Sequence, residues 1–121
     1  MTQTISAYLY AALACLPIAM HLALIAGAPW GRFTMGGRFP ERLPPLWRVL
    51  ALVQAALLGL MAAVVLHAAQ TPDTGWPLPA VLGVTALSLL ANGISPSRPE
   101  RRLWTPVLAL MLLSGGAVAF L

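Results

Sequence analysis

The chain contains no lysine, and its only acidic residues are Glu41, Asp73 and Glu100. Charged residues make up 8% of its 121 positions, against about 25% in an average soluble domain. Hydrophobic residues reach 60% and the mean hydropathy is +0.84. A soluble fold this small cannot hide so much apolar surface, because small domains leave a large share of their surface wet. A soluble enzyme and a disordered chain are both excluded, which leaves a protein dissolved in a bilayer. There is one cysteine, Cys15, so no disulfide framework forms within the chain. The length allows one unit, residues 1–121, and no second domain. All seven basic residues are arginine and the pI is near 10.7. They lie between apolar runs and have no soluble face to carry a nucleic-acid patch, so no nucleic-acid partner is expected.

Four apolar stretches organise the chain, at about residues 5–26, 46–69, 78–94 and 98–121. A spanning helix needs about 20 apolar residues. The third stretch is short and carries Thr85, Ser88 and Asn92, and it spans with little tilt or with local thinning of the bilayer. The runs are long, rich in Ala and Leu, and without alternation, which argues against strands. The expected fold class is all-α: a polytopic membrane protein built as a bundle of four transmembrane helices.

Orientation follows from arginine placement. The first connection holds Arg32, Arg38, Arg42 and Arg48, and the third holds Arg98, Arg101 and Arg102. The second, residues 70–77, has Asp73 and no base, and both ends of the chain lack bases as well. The positive-inside rule puts connections one and three in the cytoplasm and both termini outside, an N-out/C-out arrangement. A cleaved signal peptide is not expected, because residues 1–6 lack a basic region. An arginine-only composition rich in Ala, Leu and Pro suits a GC-rich bacterial genome, and the inner membrane is the expected location.

Helix starts carry chemical markers. Ser97 and Glu100 have capping-box spacing, with Glu100 expected to reach back to the Ser97 N–H. Pro99 falls in the first turn, where its missing N–H costs nothing. Pro44 and Pro45 open the second helix, Pro77 and Pro79 the third, and Pro106 lies inside the fourth, where a kink is expected. Small residues recur every fourth position in the first helix (Ala7, Ala11, Cys15, Ala19, Ala23, Gly27) and the second (Ala51, Ala55, Gly59, Ala63). Such ridges are expected to face other helices.

The polar minority supplies the candidate ligand-binding residues. Ser6, Tyr10, Pro17 and His21 share one face of the first helix, and Thr85, Ser88 and Asn92 share one face of the third. A polar cleft between helices one and three, joined by Gln54, is one reading, and interhelical hydrogen bonding alone is the other. His21 is the leading functional residue, since ionisable groups in a membrane are costly. His67 reads as an interface residue. No charged residue falls at bilayer depth by this reading, so a proton-coupled exporter with a membrane carboxylate is disfavoured. There is no catalytic triad, carboxylate pair or phosphate loop, and no catalytic residue, metal or cofactor is assigned.

The first connection, residues 27–45, is long and mixes Trp30, Phe33 and Phe39 with arginines and turn formers. Trp30, Arg32 and Arg38 are added to the ligand-binding candidates, with lipid headgroups among the expected partners. Gly31, Gly36, Gly37, Arg48, Ser97, Glu100 and Arg101 are expected to build the inner face. The loop should be ordered and pack on the start of the fourth helix, with one of its arginines paired to Glu100.

The stretch Gly27-Ala28-Pro29-Trp30-Gly31, then Gly36-Gly37, Leu43-Pro44 and Arg48, resembles a group of small four-helix bacterial inner-membrane proteins. So does Asn92-Gly93-Ile94-Ser95-Pro96-Ser97-Arg98-Pro99-Glu100-Arg101, followed by Trp104 and Pro106. The resemblance covers both cytoplasmic connections and their flanking helices, about two-thirds of the chain. Members of the group often carry an aromatic residue where this chain has Met35 and a different polar residue where it has Arg38. The resemblance implies a topology and no activity. Three functional readings follow. The first is a non-enzymatic protein binding a lipid or small molecule, as an accessory or carrier subunit, alone or in a larger membrane complex. The second is a homo-oligomeric transporter or channel. The third is a membrane redox or enzyme subunit using His21.

Overall fold

The computed structural model describes residues 2–71 and 75–121. Among them are four α-helices and no strand: α1 Thr2–Ile25, α2 Pro45–Gln70, α3 Pro77–Gly93 and α4 Arg98–Phe120. Asp73, expected in the outer connection, lies outside the described residues. The first turn of α1 takes in the polar Thr2, Gln3 and Thr4, which stand before the apolar run. Helices α1, α2 and α4 are long and apolar enough to cross a membrane. The apolar α3 has 17 residues and is about 26 Å long, a little short of a hydrocarbon core of about 30 Å.

Local chemistry sets the boundaries. Gly27 takes φ +100° after α1. The Ala28 N–H then bonds Ala23 C=O, and the Gly27 N–H bonds Leu24 C=O. This is the paired closure of a helix ending on a left-handed glycine. Pro45 begins α2 and Pro77 begins α3, both where an N–H would have no helical partner. Ser97 caps α4 by accepting the Glu100 N–H at 3.4 Å. The expected reciprocal bond is not made: the Ser97 N–H goes to Ser95 Oγ at 3.2 Å, and the Glu100 carboxylate turns elsewhere.

Helix α1 packs against α2 and α4, and α4 packs against α3, while α2 and α3 make only slight contact. The bundle therefore runs in the order α2, α1, α4, α3, with a seam between its ends. The small-residue ridges are not the packing faces. Along α1 the buried positions are Ala7, Tyr10, Ala14, Pro17, Met20, His21 and Leu24, whereas Cys15 and Ala19 are exposed. Along α2, Ala51, Ala55, Met61 and Val65 are buried, and Gly59 and Ala63 are exposed. The reason is geometric. At 100° per residue, a four-residue step advances 400°, so each step drifts by about 40° and the ridge leaves the interface. Alternating steps of three and four hold one face inward. Exposed Leu46, Leu87, Leu113 and Phe120 are more than two-thirds accessible, an outward apolar surface that suits lipid.

The loop before α2 is folded. The Gly31 N–H bonds Glu41 C=O at 2.8 Å and the Arg32 N–H bonds Pro40 C=O at 3.1 Å, closing it on itself. Between these strands of backbone runs a tight turn, Met35–Gly37, with φ of +52°, +67° and +72°. Phe39 stacks on Trp47 of α2 with ring centres 5.1 Å apart, and Arg48 Nε donates to Leu43 C=O at 2.8 Å. A Cβ at Gly31 would sit 1.6 Å from the Phe39 carbonyl oxygen, so only glycine allows this closure. Gly31→Ala is expected to spring the loop open at a cost of about 1–3 kcal/mol. Limited trypsin digestion should then cut at Arg32, Arg38 and Arg42 with far-UV circular dichroism unchanged; wild-type resistance in the variant would contradict it.

Candidate functional site

Four side chains carry the polar interior of the bundle. The Tyr10 hydroxyl of α1 meets Thr85 Oγ1 of α3 at 2.8 Å, and Thr85 also donates to Val81 C=O at 2.8 Å. With its own proton committed to that carbonyl, Thr85 accepts from Tyr10. Gly115 of α4 makes room for the bond. A Cβ there would stand 2.7 Å from Leu82 Cδ2 and 3.3 Å from Tyr10 Cδ2. Tyr10 is fully buried by this arrangement.

His21 lies about three turns of α1 further on. Its Nδ1 is 2.6 Å from Pro17 C=O, and its Nε2 is 2.5 Å from the Gln54 side-chain amide of α2. A carbonyl only accepts, so Nδ1 carries the proton. A neutral ring then offers a lone pair at Nε2, which calls for the amide NH2 of Gln54; an imidazolium calls for the amide oxygen. The ring is thus fixed on both sides, and the amide takes the orientation that the ring's charge demands.

Beside His21 and Gln54 lies a cavity of about 330 Å³, at the small end of the usual range for ligand sites, about 300–1,000 Å³. It sits at the seam where α2 and α3 barely touch. Helix α1 contributes Pro17, Met20 and His21, α2 contributes Gln54 and Met61, and α3 contributes Ser88 and Asn92. Helix α4 contributes Glu100, Trp104 and Met111, and the loop closes one end with Phe33, Thr34 and Met35. Among the described residues no group of three or more His, Cys, Asp or Glu side chains gathers as a metal site. The cavity therefore offers hydrogen-bonding groups, thioethers and aromatic faces.

The loop is held over this cavity by three bonds to the start of α4. The Gly36 N–H donates to Glu100 Oε2 at 2.8 Å, Ser97 Oγ donates to Arg32 C=O at 2.5 Å, and Trp104 Nε1 donates to Phe33 C=O at 2.7 Å. Gly37 lies against Ser97, where a Cβ would come within 2.9 Å of the serine Cβ. Arg101 donates to Ser95 C=O at 2.7 Å and steadies the turn before α4.

Of the ligand-binding candidates, the structure brings His21, Gln54, Ser88 and Asn92 together at the cavity. Four others sit elsewhere. Tyr10 is spent on Thr85 and does not line the cavity. Arg32 and Arg38 are exposed, their guanidinium groups lying over the rings of Phe33 at 4.9 Å and Trp47 at 5.6 Å. Trp30 is 46% exposed on the outside of the loop. The cleft expected between α1 and α3 is instead bounded by all four helices. The expected arginine–Glu100 pair is also absent: no arginine of the loop comes within 4.0 Å of Glu100, whose carboxylate takes a backbone N–H instead. The physical reason is reach and geometry. Gly36 arrives at the α4 N-terminus through the left-handed turn, while Arg32 and Arg38 lean outward onto aromatic rings. Glu100, expected at the membrane surface, is 8% exposed and faces the cavity. Thr34, Met35, Met20 and Met111 are cavity residues that periodicity did not single out, because neither a loop threonine nor a core methionine has a distinctive spacing.

No protein family, curated protein or solved structure matches this chain. The Tyr10–Thr85 bond tests whether the interior polar groups hold the bundle together. In a double-mutant cycle of Tyr10→Phe and Thr85→Val, read by unfolding in mixed micelles, a coupling of about 0.6–1.7 kcal/mol is expected. A coupling of zero would show that the two hydroxyls merely coexist.

Proposed function

We propose that this is a multi-pass protein of the bacterial inner membrane that binds a lipid or small molecule between its helices, acting as a carrier or accessory subunit. All four helices span in this reading, with both termini outside and the two arginine-bearing connections in the cytoplasm. The distribution of arginines supports that orientation, since all seven lie in connection one or in the first two turns of α2 and α4, at the same end of the bundle by this reading. The resemblance to the group of small four-helix inner-membrane proteins points the same way. The observation that carries the binding reading is the cavity itself: about 330 Å³, lined by His21, Gln54, Ser88, Asn92 and Glu100, under a folded loop. Packing alone would bring polar side chains together in pairs. Here they surround a space.

Two experiments test the proposal. Reporter fusions at Leu121 should be active in the periplasm, and fusions after Arg42 should be active in the cytoplasm; a cytoplasmic position for Asp73 would overturn the topology. Native mass spectrometry of the protein purified in mild detergent should show a retained molecule, lost in Leu58→Trp, which fills the cavity from α2. Retention that is equal in the variant, or no retained species at all, would count against this site.

A further inference from the structure

Among the described residues, the Glu100 carboxylate forms no ion pair. It is 8% exposed and lines the cavity, and no arginine nitrogen lies within 4.0 Å of it. Its Oε2 accepts the Gly36 N–H, while among the described residues its Oε1 takes no hydrogen bond. The remaining compensation comes from the N-terminus of α4, where Glu100 occupies the first turn. A helix terminus is equivalent to roughly half a positive charge. The carboxylate thus faces a cavity with a mostly apolar wall, with one backbone donor and a helix terminus as its partners. No arginine lines the cavity.

Two further acceptors line the same cavity. Asn92 gives its amide hydrogen to Ser88 C=O at 2.8 Å, which leaves Asn92 Oδ1 free to accept. The Ser88 hydroxyl lines the same cavity. The short turn at 94–97 joins the last turn of α3, which holds Asn92, to the first turn of α4, which holds Glu100; Ser88 stands one turn earlier on α3, and all three residues line the cavity. Away from them the wall is Met20, Met61, Leu108 and Met111.

Resting on the reading of the cavity as a ligand site, we infer that its ligand carries a primary ammonium group on an apolar body, with the ammonium at Glu100, Asn92 and Ser88. Three N–H donors meet three acceptor oxygens. The positive charge pairs with the carboxylate in the wall, and charge-assisted bonds of this kind are about twice as strong as neutral ones. Phe33 and Trp104 also line the cavity and add aromatic surface to its wall. Methionines and leucines take the apolar remainder. An anionic headgroup is disfavoured by the same carboxylate. The shared chemistry, an alkylammonium, is available from an aminophospholipid headgroup or from a free amphiphilic amine.

The test compares three probes of one shape on the full-length protein in maltoside micelles: n-pentylammonium, n-pentanol and pentanoate. By titration calorimetry the ammonium should bind roughly tenfold or more tightly than the alcohol, with pentanoate weakest. Glu100→Gln should abolish the preference while keeping an oxygen for the Gly36 N–H. Ser88→Lys, which places a cation in the cavity without touching the loop contact, should abolish it as well. Native mass spectra from nanodiscs of phosphatidylethanolamine or phosphatidylglycerol separate the sources. Retained phosphatidylethanolamine that pentylammonium displaces identifies a lipid headgroup; pentylammonium binding without lipid retention identifies a free amine. Equal binding of pentanol and pentylammonium, unchanged in Glu100→Gln, leaves the cavity a ligand site and overturns the ammonium assignment. If no probe binds and no molecule is retained, the cavity reading itself falls.

Discussion

The hydrogen bond from the Gly36 N–H to Glu100 joins two parts of the chain 64 residues apart, and the shape of the cavity depends on it. A loop of this length has no helical ladder to satisfy its backbone, so its N–H and C=O groups must find partners one by one. The carboxylate takes one N–H, Ser97 takes the Arg32 carbonyl, and Trp104 takes the Phe33 carbonyl. All three partners lie in the first turns of α4. The fold of the loop is thus written partly in a helix that the chain reaches only after α2 and α3. Gly31 is the counterpart within the loop, since the close approach of Phe39 leaves no room for a side chain.

The bundle solves a second problem, that of association without a hydrophobic driving force between helices. In lipid, close packing and interhelical hydrogen bonds supply what water would otherwise enforce. Gly115 lets Tyr10 and Leu82 approach α4, and Tyr10 then reaches Thr85. His21 and Gln54 tie α1 to α2 in the same way. Among the described residues α2 and α3 have no such link, and the cavity lies where they make only slight contact. The cavity is the consequence of where cross-links are present and where they are not.

Much of this architecture was legible in the chain. Four apolar runs separated by arginine and proline clusters give four helices, and Pro45, Pro77 and Ser97 mark their starts by chemistry that is local. Gathering His21, Gln54, Ser88 and Asn92 was legible too, because helical phase places each on an inward face. Two features were not. The small-residue ridges misled because a four-residue repeat drifts around a helix, so Cys15 and Gly59 face outward although Ala7 and Ala51 are buried. The partner of Glu100 was misread because charge counting looks for an arginine, whereas a backbone N–H in a left-handed turn has no signature except the Gly36-Gly37 pair.

That misreading has a physical lesson about where the arginines go. A guanidinium at the headgroup level keeps water and lipid phosphate as partners, and burying it against one carboxylate forfeits most of that solvation. Arg32 and Arg38 instead lie over aromatic rings with their edges open to the surroundings. The carboxylate meanwhile gains a backbone donor and a helix terminus, neither of which brings a charge that needs burying in turn. The arrangement leaves cations outside the loop and an anion inside it. Such a separation of charge across one layer of backbone gives the cavity an electrostatic character opposite to that of the arginine-rich surface above it.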